Sequence, residues 1–407
     1  MDTLRRAFLR KSLKTAGIAA MAPAMAQLSN TAAAATTSLV DLGPLQAPDD
    51  LGIRLPKGFG SRKIAQAFYR VPNSRRPWHI FPDGGACFET ADAGWIYVSN
   101  SEFPVAGGVQ AIRFNAVGDI VDAYNILAGT SVNCAGGATP WNTWLSCEEY
   151  DLGFVWECDP FGNKKAVKRP MMGMFRHEAV AVDPINQQLY LTEDTGDGCF
   201  YRFTPDQYPN LATGLLEVAV IDGVNDASVI DPATAVTLRW ETVPVPFPEF
   251  AKTKSSAIFN TIPTRYQVSA AAHFDGGEGI WYHQQRLFFT TKGDNRVWEL
   301  DLTTQQLSIL YDINTSPNPI LSGVDNVTVA PSGDVIVAED GGDMQLVAIN
   351  EFGDVAPILQ VVDQDHSEIT GPAFNPAGNR LYFSSQRGPR RRFPQNLGVT
   401  YEILGPF

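Results

Sequence analysis

Short apolar runs that end in small polar or acidic residues recur along this chain. The copies are Ile96-Tyr97-Val98-Ser99-Asn100, Trp144-Leu145-Ser146-Cys147-Glu148-Glu149, Leu189-Tyr190-Leu191-Thr192-Glu193-Asp194, Leu287-Phe288-Phe289-Thr290-Thr291-Lys292, Val335-Ile336-Val337-Ala338-Glu339-Asp340 and Leu381-Tyr382-Phe383-Ser384-Ser385-Gln386. Their fifth residues fall at positions 100, 148, 193, 291, 339 and 385. The interval is roughly 45–50 residues with one double step, the signature of a repeated strand unit. A second element precedes several copies, as in His177 to Pro184, Val324 to Pro331 and Thr370 to Pro376, and stops at a proline-containing turn. That reads as one hairpin per repeat. Third strands follow in Gly198 to Phe203, Arg296 to Leu300 and Gln345 to Ile349. No sustained 3.6-residue period appears, so little helix is expected.

The period predicts an all-β fold, a six-bladed β-propeller. The double step from 193 to 291 is expected to hold an extended blade or insertion around 205–285, with strands near Leu216–Ile221 and Val236–Trp240 and an excursion from Val243 to Phe259. Closure is expected between a strand near Arg62–Phe68 and one near Val399–Leu404, which removes sheet edges.

Composition fits this picture: 407 residues, 44% hydrophobic, with 35 Gly and 28 Pro, are globular and turn-rich. A net charge of −13 argues against nucleic acid and anionic membrane surfaces as partners. It leaves room for a small anionic substrate where cations gather locally. Arg5-Arg6-Ala7-Phe8-Leu9-Arg10-Lys11, a mildly apolar run and Ala24-Met25-Ala26 read as a twin-arginine signal peptide over 1–26. The twin-arginine export machinery is then a partner, and the periplasm or the exterior the destination. The apolar run is short and broken by Pro23, so no stable membrane anchor is expected. Residues 27–40 read as a flexible linker and 41–407 as a single propeller domain, expected to be a monomer. Five cysteines, Cys87, Cys134, Cys147, Cys158 and Cys199, are an odd number for an exported chain, so at least one stays unpaired.

Blades are radial, so equivalent strand ends converge on one axis, and carboxylates gathered there need a cation between them. Asn133-Cys134-Ala135-Gly136-Gly137-Ala138-Thr139-Pro140-Trp141 leads into the strand that ends in Glu148-Glu149. A thiolate beside carboxylates suits a transition metal next to oxygen-liganded calcium. The alternative for Cys134 is a buried structural thiol.

This segment resembles the PhoX-type alkaline phosphatases. The resemblance continues through His177 to Pro184, Leu189 to Asp194, Gly198 to Phe203, Gly277-Glu278-Gly279 and Asp325-Asn326, from about residue 50 to 400. It implies export, a six-bladed propeller and a centre of Fe3+ and Ca2+. By motif, Cys134 would be the iron thiolate, with Glu149 (or Glu148), Glu178, Asp194 and Glu278 as the shared carboxylates. Asn100 would hold substrate phosphate or calcium, unless it forms only an Asx turn. Gln386 matches the last strand end, and Arg387 is a candidate anion contact. One departure stands out: the family's usual arginine two residues before Glu278 is here Gly276. A bidentate phosphate clamp is then missing, for which Arg387 or Lys292 would stand in.

No competing template occurs. There is no Gly-x-Ser-x-Gly elbow, Walker loop or His-Glu-x-x-His, and the five histidines are dispersed. The resemblance implies hydrolysis of phosphate monoesters. Two other readings remain: a calcium-holding propeller without turnover, which Gly276 favours, and a calcium-dependent lactonase-like hydrolase.

Overall fold

Strands flanked by other sheets on both faces should be buried along their whole length, and edge strands should alternate. The computed structural model follows this rule. It describes residues 37–407 except 253–256, 260, 261, 391, 393 and 396; the expected signal peptide 1–26 and most of the expected linker lie outside the described residues. Trp95–Ser101, Trp144–Glu148 and Val335–Glu339 are buried throughout, whereas Ile120–Thr130 exposes alternate stretches. The helical segments among the described residues are three-residue 3-10 turns.

Four antiparallel sheets of four or five strands stand separately. The first runs Pro82–Glu89, Trp95–Ser101, Gly107–Phe114, Ile120–Thr130, and the second Asn133–Ala138, Trp144–Glu148, Val155–Cys158, Val167–Lys168. The third runs Val324–Val329, Val335–Glu339, Gln345–Ile349, Val355–Val361, with Ile53–Arg54 added at its edge. The fourth runs Ile369–Phe374, Arg380–Ser385, Val399–Leu404, Gly60–Gln66. The remaining large sheet has ten strands. In it, His177–Asp183, Gln188–Glu193, Gly198–Gln207 and Asn210–Ile221 form one meander, and Gly277–His283, Arg286–Thr291, Arg296–Asp301 and Gln306–Asp312 another. Val236–Thr242 joins them, pairing with Asn210–Ile221 on one side and with Gln306–Asp312 through Val236 and Thr237 on the other, and His273–Phe274 is the tenth strand, paired with the start of Gly198–Gln207.

The fold is therefore all-β and propeller-like, as the period predicts, but it does not divide into six separate sheets. The double step supplies a joining strand rather than a seventh meander. The inner strands Pro82–Glu89, Asn133–Ala138, His177–Asp183, Gly277–His283, Val324–Val329 and Ile369–Phe374 pack each against the next, and the last meets the first. They surround an axis.

Closure occurs where expected, between Gly60–Gln66 and Val399–Leu404. Buried Glu402 locks it, accepting from Arg62, Arg380 and the Tyr382 hydroxyl at 2.8, 2.7 and 2.6 Å. The expected linker ends before residue 40. Leu39 is buried in the core, and Asp334 accepts hydrogen bonds from the Leu39 amide and the Ser38 hydroxyl. All five cysteines are free thiols.

Because Ile403 on the closing strand is buried and Leu404 is partly exposed, the two separate core packing from surface. Ile403→Ala is expected to lower the unfolding free energy by about 2–5 kcal/mol. Leu404→Ala should change it by no more than about 0.5 kcal/mol. Urea denaturation followed by tryptophan fluorescence measures both.

Candidate metal centre

Each inner strand carries an irregularity just after its start. The ladder register shifts between Pro82 and Gly85, Asn133 and Gly136, His177 and Val180, Gly277 and Ile280, Val324 and Val327, and Thr370 and Ala373. A bulge turns the local backbone and re-aims a side chain. The second residue of each inner strand is Asp83, Cys134, Glu178, Glu278, Asp325 and Thr370. These side chains gather at one end of the axis. Small residues follow them, and the axis narrows there to a cavity of about 30 Å³ lined by Gly84, Ala135, Gly279, Asn326 and Gly371. At Gly371 the backbone φ is +59°, and a Cβ would lie 2.7 Å from the Asp83 carbonyl oxygen, so only glycine fits.

Side chains from one strand pin the backbone of the next acid. The Thr192 hydroxyl donates to the Glu278 carbonyl at 2.5 Å, Thr290 to the Asp325 carbonyl at 2.6 Å, and Thr370 to the Pro82 carbonyl at 2.8 Å. Asn100 does the same for the thiol strand. Its amide donates to the Cys134 and Ala135 carbonyls at 2.9 and 2.7 Å, and its oxygen accepts from Trp144 and Ser146.

Three groups of donor atoms result, each within 4.8 Å: Glu178, Glu278 and Asp325; Glu102, Cys134 and Glu149; and Asp83, Glu102 and Glu368. The Cys134 thiol donates to Glu178 Oε1 at 3.3 Å, while Glu178 Oε2 is buried with no hydrogen-bond partner. Two carboxylates at such separations repel by about 3 kcal/mol even at an effective dielectric of 20. Burial, and then the Glu102 charge, pushes the Asp83 carboxyl up to about 7. Burial, then Asp194 and Glu102, pushes Glu149 up to about 8. Burial also holds Glu178, Glu278, Asp325 and Glu368 well above the carboxylate range, helped by Glu278, Asp194, Glu278 and Asp340 respectively. The Cys134 thiol is raised by burial and by Asp83 and Glu178. An orphaned carboxylate oxygen inside a ring of acids fits hard cations, and the thiol beside it fits a softer one.

The structure brings together Cys134, Glu149, Glu178 and Glu278, and Lys292 ties Asp194 to them, contacting Asp194 and Glu278 at 2.6 and 2.5 Å. Three of the expected residues make other contacts. Glu148 points away from the axis and accepts from the Ser131 and Phe154 amides, clamping its own loop. Glu193 and Glu339 do likewise, accepting from the Cys199 amide and from the Ser322 and Gln345 amides. Asn100 has both amide protons and its oxygen engaged, so it orients the Cys134 strand rather than binding phosphate or calcium. Gln386 is buried, and its amide nitrogen donates to Asp83 and Glu102, each at 2.6 Å, so it ties two acids together. Arg387 remains partly exposed beside Glu368 at 3.1 Å. His177 is neutral and structural: burial pulls it down to about 3, and Nε2 donates to the Gly173 carbonyl at 3.1 Å.

Asp83, Glu102, Asp325 and Glu368 were not assigned from the sequence, nor was Arg176, half-exposed at the rim and held by Asp151 at 2.9 Å. The available signal was an acid or thiol followed by a small residue at the start of four of the six hairpins: Asp83-Gly84, Cys134-Ala135, Glu178-Ala179, Glu278-Gly279.

The raised carboxyls fix a pH dependence. Their folded values lie above the unfolded values near 4, so without cations the folded chain holds extra protons. Stability is then expected to fall as pH rises from about 4 through about 8, the range set by Asp83 and Glu149. Chelator-treated protein should lose Tm across this window in thermal unfolding, and added calcium should flatten the profile. A flat profile in chelator would contradict the electrostatic picture.

The sequence profile of the family described as alkaline phosphatase PhoX matches residues 97–308. Among solved structures, Pseudomonas fluorescens PhoX in complex with vanadate, a transition state analogue, superposes with a TM-score of 0.70 at 15% identity, covering 89% of this chain and 97% of that one. A gluconolactonase from Xanthomonas campestris gives a TM-score of 0.47 at 12% identity, covering 89% of this chain and 97% of that one. Regucalcin, a calcium-binding protein from Agrobacterium tumefaciens, gives 0.46 at 13%, with 84% and 95% covered. No curated protein sequence matches. The matched profile takes in more than half of the 407 residues, including Cys134, Glu149, Glu178 and Glu278, and the chain belongs to the PhoX alkaline phosphatase family.

Proposed function

We propose that the chain is an exported phosphatase that hydrolyses phosphate monoesters at a centre of calcium and iron on the propeller axis. The ten-stranded sheet is on this reading two blades joined by Val236–Thr242, which makes six. One observation carries the proposal: five of the six residues at the second position of the inner strands are metal-ligand types, and they converge with a buried, unpartnered Glu178 oxygen.

Glu178, Glu278 and Asp325 would hold calcium, while Cys134, with Glu149 and Glu102, would hold the iron. Asp83, Glu102 and Glu368 offer a third position. Bound cations supply charge neutralisation of the phosphoryl oxygens and activation of water. The protein's own part is placement. The bulged strands and the Thr192, Thr290 and Asn100 hydrogen bonds fix the donor atoms before substrate arrives, so little reorganisation is needed during reaction. Glycine and alanine close the axis below, so the substrate approaches from the strand ends. There Arg176 and Arg387 are partly exposed guanidinium groups able to turn toward an anion. Export through the twin-arginine route to the periplasm or beyond belongs to the same reading; no helix among the described residues is long and apolar enough to cross a membrane.

The calcium-holding propeller without turnover is the second reading, favoured by Gly276, which leaves no arginine at that position. Hydrolysis of p-nitrophenyl phosphate by metal-loaded protein, with a lactone panel on the same preparation, separates the readings. Phosphatase turnover is expected, lost on chelation, and reduced at least about 100-fold in Cys134→Ala and Glu178→Gln. Equal turnover in chelated and loaded protein, or lactone hydrolysis alone, would overturn it.

A further inference from the structure

The cation at the edge of this centre belongs to the protein. Lys292 follows the fifth-position residue of its strand, and so shares a column with Glu149, Asp194 and Gln386. Its Nζ lies 2.6 Å from Asp194 Oδ2 and 2.5 Å from Glu278 Oε1. Glu278 is on an inner strand, while Asp194 follows the strand Gln188–Glu193 of the neighbouring meander. The ammonium therefore bridges two meanders across a gap that would otherwise hold two like charges.

Gly276 makes the placement possible. The Lys292 amide donates to the Gly276 carbonyl at 2.9 Å, and the lysine stem lies over the glycine. A Cβ at residue 276 would sit 2.9 Å from Lys292 Cγ and 3.3 Å from Asp194 Oδ1, and φ there is +71°. Any side chain at 276 would have to displace the lysine or strain the backbone. Glycine at 276 and lysine at 292 form a matched pair. Asp194 joins none of the three donor groups, and its carboxylate turns to Lys292 instead.

We infer that Lys292 is a built-in cation of the centre, its ammonium holding the place between Asp194 and Glu278 that a divalent ion would otherwise take. This rests on the metal-centre reading above. Asp194 is then the counter-ion of a lysine and not a metal ligand. Glu278 belongs as well to the group it forms with Glu178 and Asp325. A compact ammonium with three donors suits this task, since it reaches two carboxylates without the planar fork of an arginine.

Elemental analysis and calcium titration of the full chain, wild type beside Lys292→Met, test the inference. Methionine keeps the stem and removes the charge. Lys292→Met is expected to gain one divalent ion per chain, or to bind its last calcium at least about tenfold more tightly. An unchanged or smaller ion count with unchanged affinity would overturn the assignment. Asp194→Asn gives an independent arm if the methionine variant does not fold: it should retain the wild-type ion count, and losing one ion would overturn the inference. The two readings fail separately. A wild-type chain that takes up no metal after loading sinks the metal centre, whereas a loaded wild type with an indifferent Lys292→Met sinks only the role of the lysine.

Discussion

Mutual repulsion among buried carboxylates is the constraint around which this molecule is organised. Glu178, Glu278 and Asp325 present donor atoms within 4.8 Å of one another in a region closed to solvent. Left alone, such groups stay protonated, and a ring of neutral acids gains little from being buried together. A cation reverses the balance, because the same proximity that repels in its absence becomes a coordination shell in its presence. The unpartnered Glu178 oxygen and the lysine between Asp194 and Glu278 are two responses to one electrostatic demand.

The fold meets that demand with backbone irregularities. A regular strand would alternate side chains between the two faces of its sheet, and none would point along the axis. A shifted register near the start of each inner strand aims the second residue inward. The hydrogen bonds from Thr192, Thr290, Thr370 and Asn100 then fix the carbonyls beside the aimed residues. Closure through Val399–Leu404 and Gly60–Gln66 leaves the ring without a free edge, which limits how far the acids can move apart.

Much of this was legible in the sequence because a strand period is a one-dimensional signal. The recurring runs located the second strand of each meander, and the closing pair was placed to within a few residues. The column of strand ends was legible only in part. Glu148 and Glu193 sit at the fifth position and look catalytic by type, yet they serve amides of their own loops, while the next residues, Glu149 and Asp194, face the mouth. A one-residue step reverses the side in a strand, so adjacent acids cannot be told apart by composition. Glu102, Asp325 and Glu368 were missed because what aims or gathers them, a bulge in one strand or a contact between separate sheets, leaves almost no trace in local sequence, and Asp83 because its one signal is the acid-glycine pair that opens its hairpin. Separate sheets were overcounted for a similar reason: Val236–Thr242 reads as a strand, but nothing in its residues says that it bridges two meanders. Lys292 was named from the sequence as a stand-in for the arginine absent at Gly276, but its contacts with Asp194 and Glu278 span strands and become visible only when these are placed.

The central claim is that cations sit among these acids, and anomalous X-ray scattering from crystals of protein purified after native export tests it most directly. The account predicts peaks enclosed by Glu178, Glu278 and Asp325 and beside Cys134, the latter appearing above the iron absorption edge and fading below it. A map with no peak inside the ring, and carboxyl groups paired with one another at hydrogen-bonding distance, would contradict it.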